Sequence, residues 1–336
     1  MLGLIKIPKE IFKKLLFIEN LLISDYHCYL EANDFSYLEN LVYFAFVRSV
    51  QEIRPNAFNG LNNLVYLNLN YCYLSYLEEG CFDGLINLKF LNLHKNFLGE
   101  IRDSVFAPLK KLIHLDLSDN RIRNELNLNG LESLRYLNIS SNYYQYYFNL
   151  SVNVLISLEA LKYDRNLTEH RIDTEKLKYL CLSTFPTELS SNPNAFKSLE
   201  YLNINNLCKD NQFLDQFNFE NLKVLIAEFD KIPKFGKNLR NLKYLKIFKA
   251  EEFDIFCFEY LNRVNNLKYF GIRLQGKAKS SSFSIKEPIF EKLIQANENL
   301  ESSKSSDYFK SYVSDYKADP LEYVSDELRE STDSSI

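Results

Sequence analysis

Histidine is the side chain best able to hold a metal or move a proton near neutral pH, and this sequence has four. Only His94 and His114 sit in matching contexts, the short runs Leu91-Asn92-Leu93-His94 and His114-Leu115-Asp116-Leu117. If both runs are neighbouring strands, His94 is the last outward residue of one and His114 the first of the next. Four residues along the strand then separate them, roughly 13 Å at about 3.3 Å per residue. A metal ion needs its ligands within about 2 Å, so a shared ion is excluded. Cys81, Cys181 and Cys257 have no ligand-spaced partner. The sequence contains no G-x-S-x-G, no P-loop and no G-x-G-x-x-G, and only nine glycines in all. It points to no metal, no cofactor and no catalytic set, and it does not read as an enzyme.

The six cysteines (28, 72, 81, 181, 208 and 257) show no paired spacing. Cys72 and Cys81 lie one connecting segment apart, so a disulfide fits, and so do buried free thiols, the expected state. Sequons begin at Asn138, Asn149 and Asn166, a number that the content of Asn, Ser and Thr yields by chance. Only Asn149 lies where a glycan would block nothing.

The elements that must position these side chains are repeats. Leu85 to Asn96, Leu109 to Asn120 and Leu131 to Asn142 each read L-x-x-L-x-x-L-x-L-x-x-N, with Ile139 in place of the last Leu. A period of about 20–29 residues with this pattern is a leucine-rich repeat. The central apolar residues are Leu21, Phe44, Leu67, Leu91, Leu115, Leu137, Leu161, Leu180, Leu202, Leu225, Leu245 and Phe270. They predict about twelve short parallel strands with Leu pointing inward and the x residues outward. The turn-out Asn should bond backbone groups of adjacent coils, because an unpaired buried amide is costly. Asn96, Asn120, Asn142 and Asn166 form that structural ladder, with Cys72 substituting one repeat earlier. The expected fold is an α/β solenoid, a leucine-rich-repeat horseshoe with a curved parallel sheet on its concave face. Its convex segments should be mostly irregular or short helical.

The return segments at 53–61, 77–85 and 101–109 share I/L-x-x-x-x-F-x-x-L, with Phe58, Phe82 and Phe106 filling the convex side of the core. This pattern resembles the "typical" leucine-rich repeats of animal extracellular proteins, such as Toll-like receptor ectodomains and chaoptin-like adhesion proteins. The resemblance spans residues 4–275 and is most specific over 41–142, without the family's Cys-rich flanking caps. It implies an extracellular receptor, adhesion or immune-recognition component, located outside the cell or on its surface. An intracellular, cytoplasmic scaffold or regulatory subunit is the alternative. Upstream sequence would separate the two, since on this register the chain is expected to start after the first strand of a repeat.

The solenoid is expected over 1–275, a capping segment over 276–300, and a disordered acidic tail over 301–336. That tail holds four basic and nine acidic residues with ten Ser, which leaves the rest of the chain near neutral at +1. Amphipathic helices are expected at 253–264 and 289–294. Neutrality gives no case for nucleic acid. No apolar run of about 18 residues occurs, so direct membrane insertion is not expected. The partner is then a protein ligand or receptor, docking on the outward positions. Tyr43, Tyr66, Phe90, His114, Tyr136, Tyr179 and Tyr201 form an aromatic column there. Asn68, Asn92, Asp116 and Asn138 line the next column; Asn70, His94 and Ser118 line the last. Rigid rings and adaptable amides suit protein recognition, while the same rings would also stabilise the sheet by stacking across strands.

Overall fold

In a computed structural model, the described residues are 5–6, 9–24, 28–123, 126–143, 150–151, 158–163, 174–182, 192–208, 213–229, 237–250, 266–267 and 269–274. They belong to one compact unit, residues 1–274, and a second unit, 275–336, lies outside them. Also outside lie ladder residue Asn166, the sequon at Asn149 and both expected amphipathic helices.

Twelve parallel strands form one sheet in strict chain order. They are β1 (Asn20–Ser24), β2 (Tyr43–Val47), β3 (Tyr66–Asn68), β4 (Phe90–Asn92), β5 (His114–Asp116) and β6 (Tyr136–Asn138). Then come β7 (Ala160–Tyr163), β8 (Tyr179–Leu182), β9 (Tyr201–Cys208), β10 (Val224–Phe229), β11 (Tyr244–Ala250) and β12 (Tyr269–Leu274). The register follows the central apolar residues from end to end: Leu21 pairs with Phe44, Phe44 with Leu67, and so on to Leu245 with Phe270. A one-residue slip would turn every leucine into water, which is why alternation fixes the register. At each strand entry one carbonyl accepts two amides of the next coil; Val65 O takes both Lys89 N and Phe90 N.

The inward side chains make a continuous core. Leu61, Leu64, Leu67, Leu69, Leu85, Leu88, Leu91, Leu93, Leu109, Leu112, Leu115 and Leu117 are fully buried. Burying each is worth about 1.5–3 kcal/mol. On the far side Phe35, Phe58, Phe82 and Phe106 stack in near-parallel steps of 6.2, 6.4 and 6.1 Å. Successive i→i+3 bonds, such as Ala57 N to Arg54 O and Leu61 N to Phe58 O, turn the chain back without a long helix. Among the described residues no helix is long and apolar enough to cross a membrane. Gly60, at φ +93°, lets two coils touch there; a Cβ would lie 2.8 Å from Ser36 Cα.

The ladder closes the strand exits. Asn96 Oδ1 accepts from Cys72 N and Leu74 N, both at 3.0 Å, and its Nδ2 donates to Leu69 O at 2.8 Å and Leu93 O at 2.9 Å. Asn120 and Asn142 repeat the arrangement one and two coils later. Cys72 stands in the same place with its thiol donating to Phe46 O at 3.4 Å. Ser49 extends the row another coil, donating from Oγ to Ile23 O and Val47 O. The residue before each ladder position is left-handed: Arg48, Tyr71, Lys95, Asp119 and Ser141 have φ of 52–56°. Beyond the exits, Ile5–Lys6, Cys28–Leu30 and Val50–Ile53 pair into a small sheet, and Leu126–Asn127 with Leu150–Ser151 into another.

A second asparagine row, not expected from the sequence reading, lies at the strand entries. Asn40, Asn63, Asn87, Asn221, Asn241 and Asn266 donate through Nδ2 to Leu16 O, Glu39 O, Asn62 O, Lys197 O, Glu220 O and Arg240 O of the preceding coil. The two rows differ in burial and so in weight. Asn96→Ala strands three buried peptide groups and should cost about 3–5 kcal/mol, with faster hydrogen exchange at the Cys72 and Leu74 amides. Asn87→Ala returns its carbonyl to water and should cost less than about 1 kcal/mol in the same urea titration.

Candidate outward face of the sheet

The first residue of each strand points away from the core because the next one points in. Strands sit about 4.8 Å apart, so large rings at that position must touch. Tyr43 and Tyr66 stack at 4.7 Å and 12°, Tyr66 and Phe90 meet at 6.0 Å, Phe90 and His114 at 6.1 Å, and His114 and Tyr136 at 5.9 Å. Ala160 occupies the position on β7 and interrupts the column. It resumes with Tyr179 on Tyr201 at 4.2 Å and 9°, is broken again by Val224, and continues at Tyr244.

At the Ala160 interruption, cross-strand charge replaces ring stacking. Arg135 and Lys178 both reach Glu159 from opposite sides, Lys178 Nζ at 3.0 Å from Oε2. These pairs hold Arg135 above and Glu159 below their ordinary pKa ranges. Beside them opens a cleft of about 470 Å³ that Ser133, Glu175, Lys176 and Ser198 also line.

The second column proves to be a set of strand-end caps. Asn68 Oδ1 accepts from Asn70 N at 3.0 Å, Asn92 Oδ1 from His94 N at 2.9 Å, Asp116 Oδ1 from Ser118 N at 2.8 Å and Asn138 Oδ1 from Ser140 N at 3.2 Å. Asn and Asp suit this place because their short acceptors reach an amide two residues on. The Ser118 hydroxyl also donates to Asp116, and Asn138 Nδ2 donates to Asp116 Oδ2 at 3.2 Å. In the last column His94 Nδ1 lies 2.8 Å from Ser118 Oγ and 3.4 Å from Asp119. Asn68 lies near the Tyr43 hydroxyl and Asn92 near the Tyr66 hydroxyl, which brings the first column against the second. Burial pushes Tyr66 up to about 12, so its hydroxyl stays neutral.

The structure therefore divides the expected docking residues. Tyr43, Tyr66, Asn68, Asn70, Phe90, Asn92, His94, Tyr136, Asn138 and Tyr179 are half-buried and reachable. His114, Asp116, Ser118 and Tyr201 project from the same face but are buried there by their neighbours, so they are not open to a partner. His114 is only 3% exposed because Phe90 and Tyr136 close over both of its faces. Neither of its ring nitrogens has a hydrogen-bond partner among the described residues. Cys28, Cys72, Cys81 and Cys181 are buried and in no disulfide, Cys72 and Cys81 included. Burial pushes the Cys28 thiol up to about 12 and raises Cys72 and Cys81 as well, so none of these three is a ready nucleophile. Among the described residues no three His, Cys, Asp or Glu come together as a metal site.

Comparison with known proteins gives a consistent fold. Residues 5–130 match the family described as BspA type leucine-rich repeat region, in six copies. No curated protein matches the sequence. Among solved structures, an internalin of Listeria monocytogenes is similar at 18% identity and a TM-score of 0.52, covering 83% of this chain and 87% of that one. A leucine-rich-repeat protein of Leptospira interrogans is similar at 19% and 0.52, covering 81% and 83%. Toll, in the Drosophila Toll–Spatzle complex, is similar at 16% and 0.57, with 87% of this chain spanning 43% of that chain.

His114 also sets a pH dependence. Desolvation lowers its pKa from 6.5 to about 4, so the folded state resists a proton that the unfolded chain accepts. Stability should be full above pH 6.5, fall as the pH drops toward 4, and level off below; the loss is about 3 kcal/mol. His114→Phe keeps the stack and removes the titration. Urea melts at pH 7 and pH 4 should show the wild type losing about 3 kcal/mol more than the variant.

Proposed function

We propose, from the premise that this chain is a leucine-rich-repeat protein, that it is a non-enzymatic protein-binding module which receives its partner on the outward face of the sheet. The observation that carries this reading is the face itself. Half-buried rings of Tyr66, Phe90 and Tyr136 alternate with the amides of Asn68, Asn92 and Asn138 on strands held in one register. The rings are fixed by stacking before any partner arrives, so binding orders few side chains. Fold alone does not give function, and it is the chemistry of this surface that supports a binding role.

The finer reading is an extracellular or cell-surface component of receptor, adhesion or immune-recognition type. It is supported by the Phe-backed return segments and by the likeness to Toll, whose complex with Spatzle is described as a hub in development and innate immunity. An intracellular scaffold using the same face is favoured by the four buried cysteines in no disulfide. Mass analysis of native protein separates the two: a glycan on Asn149 supports the extracellular reading, and an unmodified Asn149 supports the scaffold.

The binding face is tested with a protein partner captured by the intact chain and then purified. Alanine at Tyr66, Asn68, Phe90 and Tyr136 together should weaken its affinity at least about tenfold, with circular dichroism confirming that the solenoid stays folded. Unchanged affinity would move the site off the sheet.

A further inference from the structure

The flank that follows the strand exits carries a second surface, distinct from the sheet face. Each coil leaves its strand through the left-handed residue, passes the ladder position, and then presents one side chain to solvent. On successive coils that side chain is Tyr73, Phe97, Arg121 and Tyr143. Tyr73 is 39%, Phe97 40% and Tyr143 62% exposed. The coils align them: Tyr73 and Phe97 lie 6.0 Å apart, and the Arg121 guanidinium lies 4.3 Å over the Phe97 ring. The left-handed row adds Tyr71, whose hydroxyl accepts a 2.6 Å bond from Lys95 Nζ. Arg121 and Arg123 then line, with Ser75, Phe97, Gly99 and Glu100, a cleft of about 340 Å³.

Two features of this strip point to a ligand. Among the described residues neither Arg121 nor Arg123 meets a carboxylate, although seven other Lys and Arg side chains do. Stacking on Phe97 also holds one Arg121 face against an apolar ring, leaving its planar fork set for a carboxylate. Large exposed rings beside oriented guanidinium groups are the residue types that dominate binding energy at interfaces.

We propose that this flank docks an acidic peptide segment of a partner protein, with carboxylates on Arg121 and Arg123 and an apolar side chain on the Tyr73 and Phe97 rings. Charge selects a peptide over a nucleic acid. Glu100 lines the Arg121 cleft, Asp119 follows Ser118 beside Lys95, and Glu78 and Glu79 line the next cleft along. A continuous phosphate backbone needs an unbroken row of cations, whereas spaced carboxylates fit between these acids.

The test pans a phage-displayed random dodecapeptide library on the intact chain. The selected pool should be enriched in Asp and Glu beside an apolar residue, relative to the input. Synthetic peptides from that pool should bind R121E/R123E at least about tenfold more weakly, and panning on that variant should select basic peptides instead. Phe97→Ser, which leaves both arginines in place, should weaken the same peptides, so the outcome does not hang on one variant folding. Binding should survive alanine at Tyr66, Asn68, Phe90 and Tyr136, which separates this strip from the sheet face. A pool without acidic enrichment, affinity unchanged in R121E/R123E, or displacement of the peptides by oligo-dT would overturn the proposal.

Discussion

A buried peptide group must find a partner, and the strand exits are where this chain would otherwise leave many unpaired. Inside the sheet each amide meets the neighbouring strand. Past the last outward residue the coil bends through a left-handed residue, and the ladder of backbone bonds is interrupted before it resumes at pairs such as Phe97 N on Leu74 O. One side-chain amide per coil then closes the gap. Asn96 accepts from two amides of the preceding coil and donates to one carbonyl of that coil and one of its own, so it ties the two together. No apolar residue can do this, and few polar ones offer an acceptor and two donors on so short a stem. The entry side needs less because it faces water, and there a single donated bond per asparagine suffices.

Burial in such a stack is collective. Phe44 and Phe46 on β2 are fully buried, while the equivalent Leu21 and Ile23 on β1, with one sheet neighbour instead of two, are only half-buried. The same chemistry at the same place in the coil thus stabilises by an amount that its neighbours determine, as expected of a one-dimensional array. The outer rings obey the same rule, since each touches only the rings one strand away.

This explains which parts were legible in the sequence. The twelve central apolar residues state the register because period and alternation are local properties, readable without knowing any contact. Ladder asparagines were legible for the same reason. The entry row, written as L-x-N-L around Asn63 and Asn87, is equally periodic, but its partners are backbone carbonyls of the preceding coil that the pattern does not name. Ser49 was hidden by its identity, since a hydroxyl does the work elsewhere done by an amide. The left-handed turn was hidden because Arg48, Tyr71 and Lys95 replace the Gly or Asn that usually marks it. Burial of His114 could not be read at all: it depends on two rings from two other coils closing at 6.1 and 5.9 Å.

The outward rings illustrate how stacking and recognition coexist on one surface. A ring that stacks on both sides hides its faces and leaves an edge, so the column offers a partner edges of Tyr66, Phe90 and Tyr136 rather than open ring faces. Those edges carry hydroxyls in two of the three cases, and Asn92 lies near that of Tyr66. A partner on the sheet must therefore be read largely through polar groups and shape. The flank differs in exposure: Tyr73 is 39%, Phe97 40% and Tyr143 62% exposed, with the Arg121 guanidinium over Phe97. That exposed ring area still meets water, and the desolvation that drives tight docking is still to be gained. The two surfaces thus differ in kind, one stiff and polar, the other aromatic and cationic, although both follow from the same coil repeated at one pitch.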